Sequence, residues 1–205
     1  MADQAGFIPR FPEGEVSADA RAMIAQLADQ NALLRASLVE ARERLGELEQ
    51  IADTDTLTPL PNRRRFIREL ERVTAQASRH GTQAAVLYID LECLNAVNDK
   101  HGHFAGDAAL IHVARLLGGL IRANDFAARI GGDEFALILD HLDHNSAIDT
   151  AERIARYIAS VPLDLGGSLV MLTASIGIAS VLAGDSVDDV LRRADRNIGR
   201  AKSRD

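Results

Sequence analysis

From Ile24 to Ala52 the residues fall into a seven-residue repeat that holds its phase. Ile24, Asn31, Leu38, Leu45 and Ala52 form one column, and Leu27, Leu34, Ala41 and Leu48 form the other. A 3.5-residue apolar period over four heptads describes a helix whose seam meets a second helix. Asn31 is the one polar residue in the seam, a device that fixes register in parallel dimers. Arg44, beside the seam, is spaced to reach Glu49 of a partner helix. Ser17 is suited to cap the start, with Asp19 in the first turn. The alternative is an amphipathic helix packed on its own domain. About 36 helical residues would span about 54 Å, however, too long to fold back on a small domain. Residues 17–54 are therefore expected to form a parallel coiled coil that makes a homodimer.

The preceding residues 1–16, MADQAGFIPRFPEGEV, have no period and carry two prolines and two glycines. They read as a flexible segment. A sharper reading makes Phe7, Ile8 and Phe11 a docking site for a regulatory protein. The net charge of −7 and the lack of a long basic run argue against nucleic-acid binding. The single cysteine, Cys93, cannot form an internal disulfide, and no apolar stretch approaches the length of a membrane span. These features lead to an expectation of a cytoplasmic protein without membrane insertion.

Beyond residue 55 the pattern alternates between strand and helix. Asn62 is placed to cap a helix with Phe66, Ile67, Leu70 and Val73 on one face, ending near Gly81. AAVLYIDL (84–91) has the length and composition of a buried strand. A helix is expected from about Asp107, and a hairpin from 127–130 and 134–139 with Gly131-Gly132 at its tip, where positive φ costs glycine nothing. Ser146 with Asp149 signals another helix, LVMLTASIGIASV (169–181) one strand, and Ser186 with Asp189 a final capped helix. The interleaving predicts an α/β fold with helices on both sheet faces.

In this order Asp90 ends a strand and Asp133-Glu134 sit at a hairpin tip. If the two strands are neighbours, three acids meet at one sheet edge. They would repel unless a cation joined them, and hard oxygen ligands suit Mg²⁺ or Mn²⁺. The alternative is that they are exposed turn residues, and spacing alone leaves both readings open. His101 and His103 lack Cys or His partners at zinc-ligand spacing, so they are read as structural.

The motifs themselves carry a resemblance. GGDEF (131–135), DTLTPLPNRRRF (55–66), NDKHGHFAGD (98–107), LTASIGIAS (172–180) and ADRNIGRAK (194–202) resemble, in order, the motifs of the diguanylate cyclase family. The resemblance implies a palm-like nucleotidyl cyclase domain over 55–205, with a central five-stranded sheet flanked by helices. It implies condensation of two GTP into cyclic di-GMP and two pyrophosphates. It makes Asp90, Asp133, Glu134 and the Leu91 carbonyl the ligands of Mg²⁺ or Mn²⁺, and Glu134, with Asp133, the catalytic acids. Asn98 and Asp107 match the guanine-reading pair, Gly131 and Gly132 the close backbone approach to the nucleotide, and Lys202 a phosphate contact. Arg122 and Asp125 match an inhibitory product site for cyclic di-GMP, with Arg153 as a secondary arginine. Relatives commonly have Asp, Phe and Lys where this chain has Glu92, Leu94 and Asn95, so a positive charge facing the phosphates is missing. The second reading is therefore a weakly active or inactive domain of the same fold, acting as a cyclic di-GMP receptor or a dimeric scaffold.

Overall fold

A computed structural model gives the fold of residues 17–92 and 94–202, with the side chains of 47, 49, 50 and 200–202 not described. Phe7, Ile8, Phe11 and Cys93 lie outside the described residues, as do the side chains of Glu49 and Lys202. The chain divides into two compact units after Ile51. Among the described residues no helix is long and apolar enough to cross a membrane.

The first unit is built on α1 (Ala18–Asp53), a single 36-residue helix. The Ser17 hydroxyl accepts from the Ala20 amide at 3.2 Å, the cap read from the sequence. The seam stays uncovered in a single chain: Leu34 is 69% and Leu48 63% exposed. Arg44 pairs along its own helix with Glu40 at 2.8 Å.

The second unit contains α2 (Arg63–His80), β1 (Ala84–Leu91), α3 (Leu94–His101) and α4 (His103–Leu120). These lead into β2 (Phe126–Arg129), β3 (Glu134–Asp140) and α5 (His144–Ser160). The chain ends in β4 (Leu163–Asp164), β5 (Leu169–Val170), β6 (Ala174–Val181) and α6 (Val187–Lys202). The central sheet has four strands, ordered β2-β3-β1-β6, and every pairing in it is antiparallel. The expected five-stranded sheet is thus corrected to four, with β4-β5 a separate two-stranded ribbon. The expected continuous strand 169–181 breaks because Leu169–Val170 pairs with β4 while Ala174–Val181 pairs with β1.

Alternation sends successive side chains of β1 and β3 to opposite faces. Leu87, Ile89, Phe135 and Leu137 pack with Val113 and Leu117 of α4 and Ile154 and Ile158 of α5. Val86, Ala136 and Ile138 pack with Phe66 and Leu70 of α2 and with Val190 and Ala194 of α6. Helices therefore cover both faces. Asp90, Tyr88 and Glu134 share the period of the second set, so they belong to the α2/α6 face.

Local signals explain most helix ends. Asn62 accepts from the Arg65 amide, and Gly81 closes α2 in the left-handed region at φ 64°. Ser186 and Asp189 bond each other reciprocally at the start of α6. Three expectations need correction. α5 starts two residues before Ser146, because Asp143 caps it by accepting from the Asn145 and Ser146 amides at 2.9 and 3.0 Å. Asn98 lies within a helix, α3, that the sequence reading lacked. α4 begins at His103, so Asp107 sits in its second turn and is not its cap. α6 packs closely on β6 at Gly177, where a Cβ would lie 2.2 Å from the Ala194 carbonyl.

Candidate active site

Asp90 and Glu134 are register partners at the end of the β1–β3 ladder. The Leu91 amide donates to the Asp133 carbonyl at 3.2 Å, so the backbone of Asp133 joins the same edge. Ile130 N–H donates to the Glu134 carbonyl at 2.9 Å, closing the turn. Neither Gly131 nor Gly132 takes a positive φ, which corrects the reason expected for this glycine pair. Gly131 instead leaves room for a neighbour: a Cβ would lie 2.1 Å from Glu134 Oε2. A Cβ on Gly132 would meet nothing, so its surroundings are open.

Glu134 has a second constraint. The Tyr88 hydroxyl donates to its carboxylate. Burial, followed by the charge and hydrogen bond of Glu134, pushes the Tyr88 pKa up to about 12. Tyr88 therefore stays a proton donor through the neutral range. A cavity of about 420 Å³ opens beside it between α2 and α6, with Arg63, Arg192 and Asp195 in its lining.

Two carboxylates directly opposite on adjacent strands repel. Together with Asp133 and the Leu91 carbonyl, they supply only hard oxygen donors, the chemistry that suits a divalent cation. Among the described residues, no three His, Cys, Asp or Glu side chains are gathered as a metal-holding group. The sheet thus brings Asp90 and Glu134 together, with Asp133 present through its backbone.

The second part of the site lies where α3 meets α4. The Asn98 side chain covers Gly106, and a Cβ at Gly106 would lie 2.1 Å from Asn98 Oδ1. That oxygen is buried and has no hydrogen-bond partner. An unpaired buried acceptor is costly, and a ligand donor would satisfy it. Asp107, the next residue along α4 from Gly106, presents its carboxylate to solvent.

A brace supports the hairpin. Arg129 Nη1 bonds Asp55 Oδ1 at 3.1 Å, while Nη2 donates to the Gly132 carbonyl at 2.7 Å. Asp55 also accepts from the Thr58 amide and hydroxyl, both at 2.8 Å. Burial opposes ionisation of Asp55, but the Thr58 and Arg129 bonds outweigh it and hold its pKa below the usual value. Sequence reading missed this brace, together with Tyr88 and Gly106; DTLT at 55–58 held the only signal, an Asp followed by a Thr three residues on.

Arg122, Asp125 and Arg153 line one small cleft with Leu120, Leu142 and Ile154. Asp125 also shapes the local turn, accepting from the Arg122 amide at 3.0 Å. Asn95 is exposed on α3.

The chain matches the family described as diguanylate cyclase, GGDEF domain, over residues 52–205. It is 40% identical over 154 residues to the bifunctional diguanylate cyclase/cyclic di-GMP phosphodiesterase MucR of Pseudomonas aeruginosa, covering 75% of this chain and 22% of that protein. It is 38% identical over 180 residues to diguanylate cyclase TpbB of the same organism, covering 84% of this chain and 40% of that one. The chain thus spans less than half the length of either relative. A solved structure of the coiled coil and GGDEF domain of DgcB from Caulobacter crescentus, in complex with c-di-GMP, superposes with a TM-score of 0.76 at 32% identity. That superposition covers 88% of this chain and 94% of the DgcB chain. With residues 52–205 matching the family model and the GGDEF hairpin at the head of the sheet, this chain belongs to the diguanylate cyclase GGDEF-domain family.

Proposed function

We propose that this chain is a diguanylate cyclase that condenses two GTP into cyclic di-GMP and two pyrophosphates. The observation that carries the reading is the pairing of Asp90 with Glu134 at the head of the sheet. Relatives named as diguanylate cyclases support it.

Asp90, Asp133, Glu134 and the Leu91 carbonyl would hold Mg²⁺ or Mn²⁺. A bound divalent ion supplies charge stabilisation at the α-phosphate and a lower pKa for the attacking hydroxyl. Glu134, oriented by Tyr88 and uncrowded at Gly131, accepts the proton of the ribose 3′-hydroxyl. The 3′-oxygen bonds to the α-phosphorus of the other GTP, and the bond to the β-phosphate oxygen breaks to release pyrophosphate. Repeating the step in the opposite direction closes the ring. Each step consumes one P–O anhydride bond and releases one proton.

Asp107 accepts from guanine N1–H and N2–H, donors that adenine does not present together, and Asn98 Oδ1 takes a further base or ribose donor. Gly131 and Gly132 allow the backbone to approach the nucleotide, and Lys202 meets the phosphates. Because each GTP attacks the other, two domains must face each other, and a homodimer through α1 supplies the second. Arg122, Asp125 and Arg153 form a separate product site: an arginine donates to guanine O6 and N7 while an aspartate accepts from its N1 and N2. Cyclic di-GMP binding without GTP, measured by calorimetry and lost in Arg122→Ala, checks this site; equal binding by both proteins contradicts it. Asn95, in place of a common lysine, favours a slower enzyme or a receptor over a fast one.

The test of catalysis is pyrophosphate release from GTP and Mg²⁺. Glu134→Gln should lower the rate at least about 100-fold with folding preserved, and Asp90→Asn should lower rate and metal dependence together. Near-normal cyclisation by Glu134→Gln would move catalysis away from this hairpin.

A further inference from the structure

Glu92 is the first residue past β1, and it is exposed. A long charged side chain in that setting normally moves freely, because holding one rotamer costs entropy. Glu92 is held twice. Its amide donates to the Thr173 carbonyl at 3.1 Å. Its Oε1 accepts from the hydroxyl of Ser175, a buried residue of β6 that lies 83 positions further along the chain. A serine hydroxyl has one proton to give, and here Glu92 receives it.

The two bonds fix a direction. Leu91 and Glu92 share one planar trans peptide, so the Leu91 carbonyl points opposite to the Glu92 amide. That amide points at Thr173, on the β6 side of β1. The carbonyl therefore points to the hairpin side, where the Leu91 amide already meets the Asp133 carbonyl. One step back along β1, Asp90 stands opposite Glu134. Just past this peptide the chain leaves the sheet for α3 at Leu94, and a single backbone bond at such an exit is prone to fraying. The bond from Ser175 to Glu92 is a second fastening between the same two segments.

We propose that Glu92 is a positioning residue for the divalent cation: fastened to Ser175, it keeps the 91–92 peptide turned so that the Leu91 carbonyl faces the hairpin. This rests on the cation reading given above and says what holds one of its ligands in place. The Glu92 carboxylate is engaged by Ser175 and acts through the Leu91 carbonyl, outside the donor set itself. Groups that orient a metal ligand in this way are worth about 10- to 100-fold in metal affinity.

The test separates the fastening from the charge. In the full chain, Ser175→Ala deletes the hydroxyl while leaving every carboxylate in place, and Ser175→Thr keeps a hydroxyl there. Mn²⁺ binding is followed by the paramagnetic resonance of free Mn²⁺, with a GTP analogue whose α,β-bridging oxygen is a methylene, so no turnover occurs. Ser175→Ala should weaken Mn²⁺ binding about 10-fold and raise the Mg²⁺ needed for half-maximal pyrophosphate release to match. Tm should stay the same, and Ser175→Thr should return both readings toward those of the unsubstituted chain. Glu92→Gln should weaken binding too, with the double variant losing less than the two losses combined, because the pair acts as a unit. Equal Mn²⁺ affinity in Ser175→Ala and the unsubstituted chain overturns the positioning role alone. So does tighter binding by Ser175→Ala, which would make Glu92 a ligand that Ser175 holds back. A loss that comes with a lowered Tm and is not repaired by Ser175→Thr overturns it in favour of a structural strap. If the unsubstituted chain holds no Mn²⁺ beyond what the analogue binds by itself, the cation reading falls and the role of Glu92 falls with it.

Discussion

A methyl group at Gly131 would lie 2.1 Å from Glu134 Oε2, so Gly131→Ala must push the carboxylate aside while leaving its charge in place. Misplacing a reacting group by about 1 Å costs on the order of 100-fold in rate. Gly131→Ala should therefore lower kcat about 100-fold, with GTP affinity and circular dichroism little changed. An unaltered kcat would mean that the position of Glu134 does not matter. The residues read from the sequence divide by what makes them important. Asp90, Asp133, Glu134, Asn98 and Asp107 stood out because their polarity interrupts apolar runs or sits in recognisable motifs. Gly106 and Tyr88 did not. Gly106 matters only because Asn98 from another helix lies across it, and Tyr88 only because strand register aims it at Glu134. The reason for Gly131 was misread in the same way: a turn preference is local, whereas the carboxylate that excludes a Cβ belongs to the folded hairpin.

At the level of elements, local bonds were legible and non-local ones were not. The Asn62 cap and the Ser186–Asp189 pair span three residues and appear in the sequence as such. Asp143 and Ser146 both fit a cap, and only the fold selects Asp143. The stretch 169–181 lacks an internal glycine or proline between its two strands, so its break at 171–173 had no local mark. The Glu92 amide bonding the Thr173 carbonyl at 3.1 Å holds that break. One tie between elements makes a pH prediction. Arg193 of α6 bonds Asp185 Oδ1 at 2.9 Å and the Ser180 carbonyl at 2.8 Å. The Arg193 guanidinium holds the Asp185 carboxyl below its usual 3.8, outweighing the opposing effect of burial. A depressed folded pKa adds stability above the unfolded value and loses it as pH falls through the folded one. Asp185→Asn should therefore lower Tm by about 2–4 °C at neutral pH, for a loss of about 1 kcal/mol. The gap from the unsubstituted chain should narrow below pH 3.8. A constant gap down to pH 2, followed by circular dichroism, would rule out this pair as its source.

For the molecule as a whole, the helix α1 was the most legible feature, because a sustained helical period needs no tertiary context to be seen. Its apolar residues are exposed in the single chain, and a partner helix would cover them. Linking two domains through such a helix raises their effective concentration for each other. Removing residues 1–51 should give a monomer by light scattering whose specific activity climbs with protein concentration, while the full chain stays dimeric with constant specific activity. A monomeric full chain would contradict the dimer. The five-stranded sheet was the misjudged global feature, since the fate of 169–170 depends on the neighbouring ribbon strand β4. The central claim is that two GTP are joined to each other. Its most direct test is the stoichiometry of the full chain's reaction with GTP and Mg²⁺, with pyrophosphate and nucleotide products quantified together. The account predicts cyclic di-GMP with two pyrophosphates per product molecule and none from ATP; GTP left intact, or pyrophosphate released without a cyclic dinucleotide, would contradict it.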